Sequence, residues 1–260
     1  MGGLIAGGTD PADIVATVRR AERADELAKR HHGITAIAGE EEPENNKQAA
    51  TGAGVVILGV KPAGIADLAR EIGDSLAPDA IVISVAAAVS LEQLEAALPA
   101  GQPVIRTMPN TPAKLGRGVV SVSPGTHCSA AQLQLAKDIL AAAGTVVEIP
   151  EHQVDALSAI SGSGPAYAFY LAEAMADAGV ELGLDRKLSE LIARETVAGA
   201  GFMLAEPGAD PAALRKAVTS PNGTTERAIA TFGARGFPAI IADGARDAAA
   251  RAAEITRQLG

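Results

Sequence analysis

Short, continuous apolar runs alternate with amphipathic stretches over roughly the first 150 residues. The runs lack the apolar–polar alternation of a half-exposed strand, so they are typical of strands covered on both faces. Helical spacing of the apolar residues between them predicts helices that connect parallel strands. The pattern predicts an α/β fold with a doubly wound parallel sheet. Its predicted strands are Ile14–Val18, Val55–Val60, Ala80–Val85, Val104–Thr107 and Val146–Ile149.

Two of the connecting helices have recognisable starts. Ser90 and Gln93 have the spacing of a capping box before LEQLEAAL. Ser129 is a candidate N-cap for the helix AAQLQLAKDIL, which precedes the last strand.

Strand signals almost vanish after Pro150, and Ala-rich helical stretches follow. We therefore predict an α/β domain over residues 1–150 and an all-helical domain over residues 151–260. Small residues at helical spacing favour close helix packing and an oligomer interface, although monomeric helical domains have the same pattern. The predicted helices are Gln153–Ile160, Ala166–Gly179, Lys187–Leu204, Pro211–Val218, Thr225–Phe232 and Pro238–Leu259.

Composition narrows the class of protein. Apolar residues make up 48% of the chain but aromatic residues only 2%, so the core is expected to be aliphatic. The net charge of −9 argues against nucleic acid or an anionic membrane as a partner. A single cysteine, Cys128, points to a reducing, cytoplasmic location, and no apolar run is long enough to span a membrane. The four histidines have no metal-binding spacing, so no metal site is expected.

Three predicted strands end in turns suited to a ligand. The stretches VVILGVKPAG, VISVAAAVS and VIRTMPNTPA each leave a strand at its carboxyl end, where open parallel sheets bind ligands. Lys61 would add a cation, and the small residues after Val85 would allow close approach to the backbone. The alternative is ordinary strand-to-helix turns with a solvated Lys61.

The stretch AVTSPNGTTERA predicts an anion site. A tight turn at Ser220–Gly223 precedes a helix at Thr224 and Thr225, so several backbone N–H groups and the helix dipole would point at one place. A small carboxylate fits this arrangement. A capped helix start without a ligand is the alternative.

Taken together, these segments resemble pyrroline-5-carboxylate reductase over essentially the whole chain. The resemblance rests on NNKQ, GVKP, SVAAAVS, VIRTMPNTP, PGTH, SGSGPAYAF, DAGVELGL and VTSPNGTTERAI, in this order. It implies reduction of Δ1-pyrroline-5-carboxylate to L-proline, the last step of proline biosynthesis, with NAD(P)H. It also implies a Rossmann domain followed by a helical domain through which subunits form a homodimer; in the family, dimers often assemble into decamers.

The resemblance also implies the residues of each site. The cofactor would contact Gly2, Arg19 or Arg20, Asn46, Val60, Lys61, Pro62, Ala86, Ala87, Ala88, Met108, Pro109 and Asn110. A cation after the second family strand favours the 2′-phosphate of NADPH, with NADH and two solvated arginines as the alternative. The substrate would contact Ser220, Gly223, Thr224, Thr225 and Glu151, with the Thr225 hydroxyl at the ring nitrogen as the catalytic contact.

The chain departs from the family at three places. Members of the family begin with a strand and a fingerprint resembling G-x-G-x-M-G, and MGGLIAGG is similar only to the end of that fingerprint and the helix after it. About ten residues that include a central strand are thus expected to be missing, which would expose apolar side chains of neighbouring strands. Asn222 and Ala88 each stand where the family usually has Gly. Asn tolerates positive φ, and the methyl of Ala88 is expected to crowd the cofactor slightly.

Two other functions remain open at this point. One is another two-domain NADP-dependent imine or hydroxyacid oxidoreductase, which would commonly use a catalytic lysine in the second domain. Lys187 and Lys216 are the lysines after residue 150, and neither lies in a suggestive motif. The other is an inert relative that acts as an assembly or regulatory protein, which the incomplete fingerprint would favour.

Overall fold

A computed structural model describes residues 2–259, which form two compact units. The first comprises the described residues up to Gly162 together with those from Ala249 onward, and the second is Ser163–Ala248. The domain boundary that the sequence pattern places between residues 150 and 151 stays a prediction.

The first unit contains seven strands in two sheets. β1 and β2 form a two-stranded parallel sheet, and the other strands form a five-stranded sheet in the order β3-β4-β5-β6-β7. All five strands predicted from the sequence are present, with ends shifted by one or two residues. The strands are β1 (Val15–Val18), β2 (Thr35–Ala38), β3 (Val55–Leu58), β4 (Ile81–Ser84), β5 (Val104–Pro109), β6 (Gly118–Pro124) and β7 (Gly144–Glu148).

The predicted parallel sheet is confirmed, with one antiparallel pair. β6 runs antiparallel to β5, with Met108 opposite Ser121. A parallel return needs a crossover of about a dozen residues or more, and only residues 110–117 connect these two strands. The sequence pattern missed β6 because buried serines interrupt its apolar run, and it missed β2 because TAIA is short.

Helices cover both faces of the five-stranded sheet. The capping box at Ser90 and Gln93 is confirmed, and Ser129 caps its helix through a second box with Gln132. The helices of this unit are α1 (Gly2–Ala6), α2 (Ala21–Arg30), α3 (Asn45–Ala50), α4 (Ile65–Ile72), α5 (Leu91–Ala97), α6 (Ala130–Leu140) and α7 (Val154–Leu157).

The core of the first unit is aliphatic and lies on both faces of this sheet. Along β4, Val82 packs with α4 and α5 on one face, while Ile81 and Ile83 pack with β6 and α6 on the other. Each of these residues is almost fully buried. The continuous apolar run in the sequence is thus explained by a strand that is covered twice.

A groove separates the two sheets. No strand hydrogen bond joins β1 to β3 within residues 2–259, and a groove of about 620 Å³ is lined by residues of both strands. Val15 of β1 and Ile57 of β3 are 45% and 41% exposed. β1 and β3 therefore each present an apolar side chain to solvent.

The second unit is helical. It contains α8 (Gly164–Glu181), α9 (Arg186–Leu204), α10 (Pro211–Ala217), α11 (Thr224–Ala234) and most of α12 (Phe237–Leu259), whose end belongs to the first unit. α8 and α9 pack closely, because a Cβ on Gly179 would lie 2.8 Å from the Ser189 hydroxyl oxygen. Across the described residues, no helix combines the length and apolar character needed to cross a bilayer.

Candidate functional site

The groove between the sheets brings together three of the predicted cofactor residues. Arg19 follows β1, Asn46 lies in α3, and Val60 follows β3, and all three line the groove. Arg19 and Val60 lie at the carboxyl ends of parallel strands, where ligands bind in open α/β sheets. Arg20 and Gly2 are exposed and do not line it.

Two neighbouring asparagines fix the wall of this groove. The buried Asn45 donates its side-chain amide to the carbonyls of Val18 (3.4 Å) and Ile37 (3.2 Å), and so ties α3 to the ends of β1 and β2. Asn46 donates to the Glu71 carboxylate at 3.0 Å. Sequence reasoning identified Asn46 and missed Asn45, whose signal is the asparagine doublet in NNKQ.

The residues that follow β3 do not all line the same depression. Lys61 is exposed at the start of a 3₁₀ turn, Pro62–Gly64. Pro62 lines a different depression, between α4 and α5, with Arg70 and Val89. The structure therefore does not bring Pro62 together with Arg19 and Asn46.

Ala86, Ala87 and Ala88 follow β4 as predicted, with an unexpected backbone. Ala86 is buried, Ala87 is exposed, and Ala88 has φ of +61°. In this left-handed region an L side chain crowds its own backbone at a cost of about 1 kcal/mol. The backbone of Ala88 is therefore a source of strain, in addition to the expected effect of its methyl group on the cofactor.

Met108, Pro109 and Asn110 form the end of β5 and the residue after it. Both polar atoms of the Asn110 side-chain amide form hydrogen bonds. The nitrogen donates to the Ser161 carbonyl and the oxygen accepts from the Val119 N–H, each at 2.9 Å. Strand β5 is fixed on its other side by Thr107, whose hydroxyl donates to the Ser84 carbonyl at 2.9 Å.

Glu151 takes part in a polar link that the sequence did not predict. Its carboxylate accepts from Arg106 in β5 at 2.8 Å and from the backbone N–H of Leu91 at 2.6 Å. The Arg106 side chain is almost fully buried. Glu151 therefore connects the residues after β7 to the sheet and to the first residue of α5.

The turn before α11 has the geometry expected from its sequence. Asn222 has φ of +60°, which confirms that asparagine adopts the left-handed conformation in this turn. The Asn222 N–H donates to the Glu226 carboxylate at 2.8 Å, and the Gly223 N–H donates to the Ser220 carbonyl at 3.0 Å. The amides of Thr224 and Thr225 open the helix and have no partner within it.

Cys128 lies away from these segments. Partial burial raises the pKa of its thiol, so the thiol stays protonated at neutral pH.

The chain is similar to known reductases along its whole length. It is 41% identical to pyrroline-5-carboxylate reductase of Pseudomonas aeruginosa, covering 100% of this chain and 93% of that protein. It is 40% identical to the Corynebacterium melassecola enzyme, covering 97% and 92%. The chain belongs to the pyrroline-5-carboxylate reductase family.

Sequence models of protein families divide this reductase chain in two. Residues 1–88 match "NADP oxidoreductase coenzyme F420-dependent", and residues 151–255 match "Pyrroline-5-carboxylate reductase dimerisation". The first match covers the strands and helices that line the groove. The second covers the helices and the turn at Ser220–Thr225.

Solved structures agree with the fold. A pyrroline-5-carboxylate reductase from Coxiella burnetii superposes with a TM-score of 0.90 at 34% identity, covering 98% of this chain and 92% of that one. The Plasmodium falciparum enzyme, solved with NADP bound, has a TM-score of 0.79 at 22% identity, covering 98% and 92%.

Proposed function

We propose that this chain acts through the family's reaction, reduction of Δ1-pyrroline-5-carboxylate to L-proline with NADPH, the last step of proline biosynthesis. The observation that carries the proposal is identity of about 40% with reductases over the whole chain. The matches include the residues that line the groove and those of the Ser220–Thr225 turn.

The groove residues fit a dinucleotide. A groove of about 620 Å³ with a cationic side chain, a side-chain amide and an apolar residue suits phosphate, ribose and base, respectively. Of the two predicted arginines, Arg19 lines the groove and favours the extra phosphate of NADPH over NADH. Glu40 and Glu71 also line the groove, and Glu71 accepts a hydrogen bond from Asn46. NADPH supplies the hydride when bound.

The turn before α11 would hold the substrate carboxylate. We assign this task to the Ser220 hydroxyl and to the N–H groups at the start of α11, where the helix dipole favours an anion. Because the Gly223 N–H already bonds the Ser220 carbonyl, Thr224 N–H is the better donor. The role of Gly223 is then to form the turn.

The Thr225 hydroxyl would meet the ring nitrogen of the substrate. A protonated imine is already electrophilic, so the protein needs neither a nucleophile nor a metal. Its work is to orient the imine and fix the carboxylate. With a hydroxyl pKa far above 7, Thr225 would support the protonated nitrogen and would not act as a strong acid. Glu151, bound by Arg106 and Leu91, would support the protein around the site and would not contact the substrate.

The helical unit would also form the subunit interface. The dimerisation match over residues 151–255 supports a homodimer through these helices. Assembly of dimers into a decamer, and a cytoplasmic location, are part of the same proposal.

The test is NADPH oxidation in the presence of pyrroline-5-carboxylate, with Thr225→Ala beside Thr231→Ala. Thr231 lies further along α11, and its hydroxyl donates to the Arg227 carbonyl, so it is a matched control outside the site. We expect turnover in the parent chain, a loss of at least about tenfold in kcat/KM for Thr225→Ala, and little change for Thr231→Ala. A parent chain that binds NADPH but does not oxidise it with this substrate would contradict the proposal.

A further inference from the structure

The side chain of Asn110 joins three segments of the first unit. Its amide nitrogen donates to the Ser161 carbonyl and its amide oxygen accepts from the Val119 N–H, each at 2.9 Å. The partners are a carbonyl and an N–H group, so they fix which end of the amide is which. Asn110 therefore ties the end of β5 both to β6 and to the π-helical turn Ser158–Gly162.

The π-helical turn packs directly on Met108. A Cβ added to Gly162 would lie 3.2 Å from Cε of Met108 and 3.0 Å from the Ser158 hydroxyl oxygen. The Ser161 hydroxyl is buried, and no described residue gives it a hydrogen-bond partner. The distance between this turn and the end of β5 is thus set by close contact, and the Asn110 amide is the polar group that spans it.

We propose that Asn110 is a positioning residue for the nicotinamide ring. Its side chain does not reach the cofactor; it holds the turn Ser158–Gly162 against Met108 and so fixes the surface on which the ring rests. This inference rests on the proposed function; of the cofactor contacts that the family resemblance implies, we assign Met108, Pro109 and Asn110 to the nicotinamide end of NADPH. It replaces a direct contact of the Asn110 side chain with an indirect one.

The expected signature separates ring placement from cofactor affinity. The groove residues Arg19, Asn46 and Val60 hold the nucleotide part of NADPH, and they lie on other elements than Asn110. Loss of the Asn110 contact would misalign the ring and lower kcat, since hydride transfer is sensitive to small displacements. Affinity for NADPH would hardly change.

The test is Asn110→Asp. The aspartate keeps an acceptor for the Val119 N–H and replaces the donor to Ser161 with a carboxylate oxygen that faces a carbonyl. We expect kcat to fall about tenfold or more, while the KM and Kd for NADPH stay within about twofold of the parent values. We also expect loss of the fluorescence enhancement that a rigidly held reduced nicotinamide gives on binding.

Gly162→Ala perturbs the same contact without touching Asn110. Its methyl would press on Met108, so the same separation of kcat from Kd is expected with a smaller effect. Gln102→Ala is the matched control, because the buried Gln102 amide also bonds two backbone carbonyls, those of Ala77 and Ala80, away from the site. It should lower stability and leave kcat and nicotinamide fluorescence unchanged.

The outcomes distinguish this inference from the proposed function. If the parent chain binds NADPH without reducing the substrate, the proposed function fails, while the fluorescence comparison still tests ring placement. If Asn110→Asp weakens NADPH binding as much as it lowers kcat, or changes neither kcat nor fluorescence, the positioning role is wrong.

Discussion

The two compact units bury different kinds of side chain. In the first unit the large aliphatic residues of β4 and β5 are inside, among them Ile83 and Ile105, both fully buried. In the second unit the buried residues are small: Ala176, Gly179, Ser189 and Ala193. Its large apolar residues lie on the surface, with Tyr170 72% exposed and Phe202 66% exposed.

This difference indicates where each unit finds its stability. A sheet covered on both faces gains about 25 cal/mol for each Å² of apolar surface that it buries. A helical unit that exposes so many large apolar residues lacks that contribution, and exposed patches of this kind mark interaction sites. The dimerisation match over the same helices explains what covers them.

The largest expected effect is on the core of the first unit. Ile83→Ala should lower the free energy of unfolding by about 3–4 kcal/mol, because it removes buried methylene groups and leaves a cavity in the sheet. The loss should be the same at all protein concentrations, as measured by chemical denaturation. The same truncation at the exposed Ile240 of α12 should cost about 1 kcal/mol or less in dilute protein. Equal losses at the two positions would mean that the second unit has a comparable core.

An intermediate effect is expected on association. Phe202→Asp places a charge on the exposed apolar surface of α9, and we expect a dimer dissociation constant about 30-fold higher. Sedimentation velocity over a range of concentrations measures it. Leu115→Asp is the control, because Leu115 is also apolar and is more exposed than Phe202 but belongs to the first unit. If the Leu115 variant dissociates as readily, the helices are not the main interface.

The smallest expected effect is on the free energy of unfolding at one residue with positive φ in each unit. Ala88 and Asn222 are the non-glycine residues with positive φ in the described part of the chain. Ala88→Gly should raise the free energy of unfolding by about 0.5–1 kcal/mol, because relief of strain exceeds the added freedom of the unfolded chain. Asn222→Gly should change it by a few tenths at most, since asparagine already tolerates this conformation. Thermal melts of both variants measure these changes in stability. A loss of stability in Ala88→Gly would contradict the prediction and show that the Ala88 methyl group contributes favourable packing.

The sequence predicted the features that depend on residues close together along the chain. Continuous apolar runs located β3, β4 and β5, of which β4 and β5 are buried along most of their length. Ser90 and Ser129 marked helix starts through contacts with residues three positions later. The left-handed Asn222 was predictable for the same reason. These features are local, so the pattern contains them.

Long-range pairings were not predictable. Nothing near Glu151 indicates that its carboxylate meets Arg106, 45 residues earlier, and nothing near Asn110 indicates Ser161, 51 residues later. The direction of β6 depends on the length of its connection to β5, and the apolar pattern of β6 does not indicate this direction. The family resemblance supplied the candidate residues of the site, but not the partners that hold them.

The separation of β1 and β2 from the five-stranded sheet has a consequence for exchange of backbone amides with solvent. The amide protons of β4 and β5 lie between hydrogen-bonded neighbours on both sides, so their exchange requires unfolding of the whole sheet. Among residues 2–259, β1 and β2 pair with each other and with no strand of the larger sheet. They can open as a pair while the larger sheet stays intact, which makes the wall of the nucleotide groove a cooperative unit of its own.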